Sequence, residues 1–565
     1  MVCAAQEHHP MSFPTTIRPA VGQTLITKVS RFYAQTLGDV LSELFQNARR
    51  AGAKGIYVAL YNLPDGPALS IYDDGRGIND PAKLLTLGDS GWQSDILKRE
   101  DPAGMGVFSL AGQDVEVWSW SRSAGRGWSV HISPDGWEGA IALDIHSCGI
   151  VRGTEFLIKL PPVWEQQLGS ALRLAAHYLP LPVHFEGGEL PRQDFLAGAS
   201  RIEEWEGCRI GVFHDNVSDA SHSHRINFHG VTVPCQLPSV GQLGNPHNWR
   251  VRVDIVDAPA LQLVLPARKE MVENEALSRL RIAAETALYR AVADEPSHRL
   301  PYKAWARARD LGVDLPEAEV WLNAWQPSVA DTDNRYMGGP VRSGPMILMT
   351  EHEPDVEQAL AHTLKKGSPF NGRLVHEARD LEGYRWYDTL PRLLSSSFTM
   401  KRDGVSHRYA DDVALPDDFM SGPVEALTAE IVLCPGDAKA SEPIVHCIPA
   451  DMLVCRDASW TLDEATILID SEANVQPGAL ADLIYASLFC YSDDHESDSW
   501  DTQSVAFERQ ALNLANELLL GEDEALLAQL RAAVFEHVQW LIPEGRSLTV
   551  SANRNALSID LAQAA

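Results

Sequence analysis

Long apolar runs are missing from this chain. No segment approaches the eighteen or so consecutive apolar residues of a membrane-crossing helix, and the opening MVCAAQEHHP has no basic start followed by an apolar core. A cytoplasmic location without a membrane partner is therefore expected. Cysteine is sparse: the eight residues, at 3, 148, 208, 235, 434, 447, 455 and 490, never form a C-x-x-C pair. That spacing argues for reduced thiols and against a structural zinc. Positive charge is also short, with 47 Lys and Arg against 77 Asp and Glu and a net charge of −30. Generic attraction to nucleic acid is not expected of such a chain, although a local basic channel stays compatible with it. Internal repeats and low-complexity tracts are absent as well. What is present, 565 residues of which 45% are hydrophobic and 22% charged, suits a folded protein of about three or four domains.

The chain reads as α+β. Residues 1–160 mix helical and extended signals and end in the strand-like run Phe156 to Leu160, which predicts a first layered domain. A helical segment, Trp164 to Tyr178, leads into LPLPVHFEGGELPR, whose prolines and paired glycines mark a boundary. Over 161–298 several extended runs precede a helix at Asn274 to Val292, predicting a β-rich second domain. Residues 299–345 read as a helical linker, with Pro301 to Trp325 helical and Asp331 to Gly344 a loop. A mixed α/β region of unread role fills 346–565, including an acidic loop at Asp493 to Asp501, helices at Val505 to Leu520 and Glu522 to Trp540, and a final strand-like stretch. His214, His222 and His224 lie close together, but their Ser/Asp/Asn-rich surroundings read as a loop, and no metal is assigned there.

Four short pieces carry chemistry. In ELFQNARRAGA, Glu43 and Asn47 stand four apart and share one helical face, while Val40, Leu44, Ala48 and Ala51 recur at the spacing of a buried stripe. In PALSIYDDGRGI, a strand ends at Asp73 and enters a turn containing Gly75 and Gly77, residues that allow backbone to approach a ligand closely. In DPAGMGVFSLA, Gly104 and Gly106 precede a helix expected near Val107, where free amides favour an anion. In RGTEF, Gly153 and Thr154 open a strand.

In this order and at these spacings the four pieces resemble the sequence boxes of the GHKL (Bergerat-fold) ATPases, which include gyrase B, the ninety-kilodalton heat-shock chaperones, MutL and the histidine kinases. The resemblance implies a Bergerat-type α/β sandwich over residues 1–160 that binds ATP and Mg²⁺. Asn47 would hold Mg²⁺ against the triphosphate and Glu43 would act as general base. Asp73 would accept a hydrogen bond from the adenine amino group, with Thr154 supporting that contact, and Gly75 and Gly77 would shape the base pocket. Gly104 and Gly106 would bring amides to the phosphates, and Leu85 to Ala103 would form a mobile lid. One departure stands out. Many relatives carry an acidic residue three positions after the asparagine, where this chain has Arg50.

Within the superfamily, too little chain precedes Glu43 for the phospho-accepting hairpin of a histidine kinase, and no segment suits the DNA-cleavage domains of gyrase. The heat-shock-chaperone and MutL branches remain, both with a β-rich transducer domain. LVLPARKEMVENEALSRLR is similar to the chaperone segment that reaches the γ-phosphate, a role for Arg268 or Lys269. The resemblance is good over about residues 20–160, extends to about 295, and is absent beyond. It implies an ATP-hydrolysing conformational machine acting on a protein client, with an ATP-dependent homodimer. A MutL-like clamp in DNA repair or defence, or a non-hydrolysing scaffold, are the alternatives.

Overall fold

The computed structural model describes residues 36–64, 66–86, 106–138, 141–216, 224–264, 270–331, 338–436, 442–456, 462–492 and 499–563. The chain is mixed α+β with several sheets, and divides into two compact units: residues 1–300 with 306–315, and residues 301–305 with 316–565. No helix among the described residues is long and apolar enough to cross a membrane.

The first unit opens with helix α1 (Leu37–Arg50). Thr36 caps it by accepting from the Asp39 amide, Asp39 sits in the first turn, and Arg49 and Arg50 sit in the last, all in the sense the helix dipole favours. Gly52, at φ +70°, stops it. The Gly52 amide donates to the Arg49 carbonyl and the Ala53 amide to that of Ala48, the Schellman pattern that satisfies carbonyls at a helix end. Leu37, Val40, Leu41, Leu44 and Phe45 bury one face against a large sheet.

That sheet has eight strands: β1 (Ile56–Leu63), β2 (Gly66–Asp73), β3 (Val115–Ser121), β4 (Arg126–Ile132), β5 (Ile145–Cys148), β6 (Thr154–Lys159), β7 (Val183–Phe185) and β8 (Gly188–Glu189), in the order β5-β4-β3-β6-β2-β1-β7-β8. All pairs are antiparallel except β1–β7. Helix α2 (Pro162–Ala176) adds Leu168 and Leu172 to the same core. The first layer thus runs to Glu189 and does not stop at 160, because the parallel partner of β1 comes after α2. A second correction concerns Val107. Gly106–Leu110 forms a 3₁₀ turn, not an α-helix, since β3 already begins at Val115.

A six-stranded sheet follows, made of β9 (Arg201–Trp205), β10 (Cys208–Asn216), β11 (His224–Phe228), β12 (Val231–Pro234), β13 (Ser239–Gly241) and β14 (His247–Ile255), with helix α3 (Glu275–Ala293) lying against β10 and β14. Asn274 caps α3 through the Leu277 amide. Of the stretch expected to be helical after Pro301, only α4 (Tyr302–Asp310) is; Gly312, at φ +77°, follows its end, and Pro316 lies beyond.

The second unit contains β15 (Leu322–Asn323) paired with β16 (Pro340–Val341), then β17 (Met346–Met349), α5 (Pro354–Lys366), β18 (Arg373–His376), the one-turn α6 (Arg385–Asp388), β19 (Arg392–Arg402) and β20 (Val405–Tyr409). After these come β21 (Gly422–Val424), β22 (Ala426–Cys434), β23 (Ile444–Pro449), β24 (Met452–Cys455) and β25 (Thr466–Asp470). One sheet runs β18-β17-β19-β22-β23 with β20 on β19, and a smaller one runs β21-β25-β24. Helices α7 (Pro477–Leu488) and α8 (Trp500–Leu520) share a core with β24 and β25. Helix α9 (Glu522–His537) comes next. The final strand-like stretch is a hairpin of β26 (Arg546–Asn553) and β27 (Ala556–Gln563).

Candidate functional site

Three residues from three strands form one row at an end of the first sheet. Asp73, the last residue of β2, stands opposite Thr154, the first of β6, and Thr154 stands opposite Ser119 of β3. Directly opposed residues of antiparallel strands point to one face. Along β3 the inward positions are Val115, Val117, Ser119 and Ser121, so the buried face turns from apolar to polar as the strand reaches this end. Ser119 and Thr154 are buried and their hydroxyls lie 2.8 Å apart, with the Ser119 hydroxyl also accepting from the Ile78 amide at 2.8 Å.

The two aspartates of the DDGRG turn differ in a way the sequence alone does not separate. Asp74 is occupied structurally: its Oδ1 accepts from the Lys54 amide at 2.6 Å and the Gly55 amide at 3.2 Å, and its Oδ2 pairs with Arg152 at 3.2 Å. Asp73 is half-buried, and among the described residues its side chain accepts one bond, from the Gly75 amide at 2.8 Å. Burial pushes its carboxyl up to about 6; the Gly75 amide works against that shift and the neighbouring Asp74 carboxylate adds to it. A carboxylate held in this state, with acceptor capacity left over, suits a donor brought by a ligand.

The glycines around it are obligatory. Gly77 has φ +73°, and a Cβ there would collide with the Trp120 carbonyl; Gly153 also has φ +73°, and its Cβ would strike the Asp73 carbonyl. The backbone packs tightly there because Trp120 N donates to the Gly153 carbonyl at 3.0 Å, linking β3 to the turn before β6.

Helix α1 is fastened to the same turn. The Arg76 amide donates to the Ala51 carbonyl at 3.0 Å, and the Arg76 guanidinium to the Arg50 carbonyl at 2.7 Å. The last turn of the helix bearing Glu43 and Asn47 is thereby held to the turn bearing Asp73. On α1, the buried Arg50 donates to Asn47 Oδ1 at 3.1 Å and pairs with Glu43 at 3.6 Å. Arg50 is therefore part of the Glu43–Asn47 constellation. The Asn47 oxygen accepts from the Arg50 guanidinium and keeps one lone pair with which a cation could be met.

Gly106 opens the 3₁₀ turn, which packs against α1. So short a turn brings close backbone approach but little helix dipole. Gly104, most of the expected lid (87–103), and both Arg268 and Lys269 lie outside the described residues. Their flanks pair: Val264 N donates to the Glu270 carbonyl at 2.8 Å and Leu263 bridges Met271. Of the three histidines, His222 is outside the described residues and His214 stacks on Trp249 at 4.4 Å. A cleft of about 660 Å³ lined by Arg225, Cys235, Glu273 and Arg281 belongs to the second sheet and includes none of the row.

Sequence reasoning missed Ser119, Arg76 and Gln46. The Gln46 side chain, buried on α1 between Glu43 and Asn47, donates to the His229 carbonyl at 2.5 Å, in the turn joining β11 and β12. Ser119 and Gln46 had no local signal; Arg76 had one, lying inside the D-x-G-x-G turn. No protein-family model matches the chain, and no curated protein matches it.

Proposed function

We propose that this chain binds and hydrolyses Mg-ATP on a Bergerat-type α/β sandwich formed by α1, α2 and the eight-stranded sheet, and uses the nucleotide to change conformation in the manner of the heat-shock-chaperone branch of the GHKL ATPases. The observation that carries the reading is the convergence of separate stretches, 43–50, 73–77 and 153–154, on one end of that sheet. There a half-buried Asp with acceptor capacity to spare stands beside glycines whose backbone packs too closely against neighbouring carbonyls to tolerate a side chain.

Each residue then has a defined task. Asp73 accepts a hydrogen bond from the adenine amino group, and Thr154, held by Ser119, supports the contact from the neighbouring strand. By the resemblance, Gly75 and Gly77 shape the base pocket. Asn47 would hold Mg²⁺, which would screen the charge of the triphosphate and orient it. Glu43 takes a proton from the attacking water, and Arg50 fixes the direction of that carboxylate. By the resemblance, Gly104 and Gly106 would approach the phosphates and Arg268 or Lys269 would meet the γ-phosphate; of these, Gly106 alone lies within the described residues.

The consequence for shape comes through Gln46. Residues one position apart on α1 serve the nucleotide and the β11–β12 turn, so a movement of α1 on binding ATP reaches the second sheet directly. The partner in this reading is a protein client engaged by the C-terminal half. The test is turnover: wild-type protein hydrolyses ATP in the presence of Mg²⁺, and Glu43→Ala retains binding while losing about 100-fold or more of the rate. Equal rates in the two proteins would remove Glu43 from the chemistry.

A further inference from the structure

The edge of the second sheet is interrupted. Strand β10 pairs with β14 from His247 to Ile255, so β11 and β13 share the opposite edge. There β13 pairs as far as Arg250 and β11 from Val253 onward, which leaves a gap at Val251 and Arg252 among the described residues. Arg225 stands at that gap, one position before the paired Ile226, and its Nη1 donates to the Leu237 carbonyl at 3.2 Å, just ahead of β13. The cleft of about 660 Å³ opens here, lined by Arg225, Cys235 and Ser239 on the sheet side and by Arg281 from α3.

The two arginines of the cleft differ. Both Nη atoms of Arg281 lie 2.7 Å from the Glu273 carboxylate, its Nε donates to the Gln236 carbonyl at 3.0 Å, and its Nη2 lies 3.9 Å from Cys235 Sγ. Those contacts fix the α3 wall of the cleft. Arg225 shares its surroundings with two further cations. Arg252 lies over the Phe213 ring, 4.6 Å from its centroid. Arg250, buried and opposite Ser239, pairs with Asp215 at 3.8 Å, and its Nη1 has no hydrogen-bond partner among the described residues. Burial draws the Arg225 guanidinium below its ordinary range, Arg250 and Arg252 push it the same way, and Asp215 and the Cys235 thiol oppose them. A cation in such surroundings gains from an arriving negative charge.

We infer that this cleft is a binding site for a small organic anion, whose carboxylate or phosphate group is received by Arg225 at the gap in the sheet edge while its body lies against Pro234 and Met271. A guanidinium offers a planar fork of donors that matches either group. The cleft has the volume of sites that enclose a small molecule, and it combines apolar walls with a few polar groups, as such sites do. A nucleic acid is disfavoured, because Glu270 and Glu273 also line the cleft and the chain carries a net charge of −30. The site shares no residue with the row around Asp73 and needs no nucleotide, so it is independent of the ATPase reading.

Alkylation of the nucleotide-free full chain by uncharged N-ethylmaleimide tests it, with each cysteine followed by mass spectrometry. Cys235 is half-buried and lines the cleft, whereas Cys447 and Cys490 are exposed and belong to the other unit. An anion in the cleft should therefore shield Cys235 and spare the other two. Inorganic phosphate and citrate are the probes, each compared with potassium chloride at equal ionic strength, and protection by one but not the other assigns phosphate or carboxylate chemistry to the site. With a dissociation constant of about 1 mM, a probe at about 10 mM should slow the reaction of Cys235 roughly 10-fold. Arg225→Gln should weaken binding by about 10-fold or more and so reduce the protection to about 2-fold or less. Should circular dichroism show that this variant fails to fold, Ser239→Glu, at an exposed position of the cleft, replaces it with the same expectation. Cys235 reacting at equal rates with and without both probes overturns the inference, as does protection that both variants leave intact.

Discussion

Asp73 is subject to opposing demands. Its folded carboxyl titrates near 6, above its ordinary value of 3.8, so between these pH values the native state holds more protons than the unfolded chain. Stability therefore falls as pH rises from about 4 to about 6 and stays lower above that, by about 2 to 3 kcal/mol for a shift of this size. Asp73→Asn should remove that penalty and raise the stability of the nucleotide-free protein at pH 7, as read by urea denaturation. The same carboxylate must be ionised to accept from adenine, so ATP affinity should weaken as pH drops below about 6 in calorimetric titrations. Arg50 makes a further prediction. Arg50→Ala releases Glu43 and Asn47 from their shared partner, and steady-state kinetics should show turnover lower by about 10-fold at nearly unchanged ATP affinity. At this scale Glu43, Asn47, Asp73 and Thr154 were singled out by the order and spacing of four short pieces, and the structure sets Asp73 opposite Thr154 on adjacent strands. Ser119 and Gln46 were not: a serine in a strand and a glutamine on a helix acquire roles through cross-strand register and through a contact 183 positions away. Arg50 was legible as a departure, but its partners required the structure.

The elements that hold the site depend on backbone geometry that side chains elsewhere cannot replace. Gly52 and Gly77 have nearly equal positive φ values, +70° and +73°, yet a Cβ at Gly52 meets nothing within 4 Å whereas one at Gly77 meets the Trp120 carbonyl. Gly52→Ala should therefore destabilise by about 1 kcal/mol, the conformational cost alone, and Gly77→Ala by about 2 to 4 kcal/mol, both measured by urea denaturation. Helix α1 was readable from its apolar spacing, and α3 from its periodicity, since both signals are local. The 3₁₀ turn at Gly106–Leu110 was not, because sequence pattern does not register that β3 begins so soon after it. Nor were β7 and β8 assigned to the first sheet, as strand pairing across an intervening helix has no periodic signature. The final hairpin read as a single extended stretch; its turn at 554–555, Arg-Asn, lacks the glycine that marks most tight hairpins.

For the whole molecule, the account requires the nucleotide to do more than bind. ATP, through contacts to the γ-phosphate that ADP lacks, should shift a conformational equilibrium that ADP leaves alone. Small-angle scattering should show a change with a non-hydrolysable ATP analogue and none with ADP, and Lys269→Ala or Arg268→Ala should abolish the difference while sparing most nucleotide affinity. Identical profiles in all states would favour a static nucleotide-binding scaffold. The acidic balance of the chain, −30, was legible from composition and disfavours nucleic acid at this scale, whereas the role of the second unit was not legible, because its sheets carry no local motif. The nucleotide-dependent expectations rest on ATP binding at Asp73, beside the row it forms with Thr154 and Ser119. The most direct measurement is calorimetric titration of Mg-ATP into the wild-type protein and into Asp73→Asn at pH 7. The account predicts saturable binding to the wild type and a loss of about 2 to 4 kcal/mol in the variant, whose fold is retained. Equal affinity in the two proteins, or no binding to either, would contradict it.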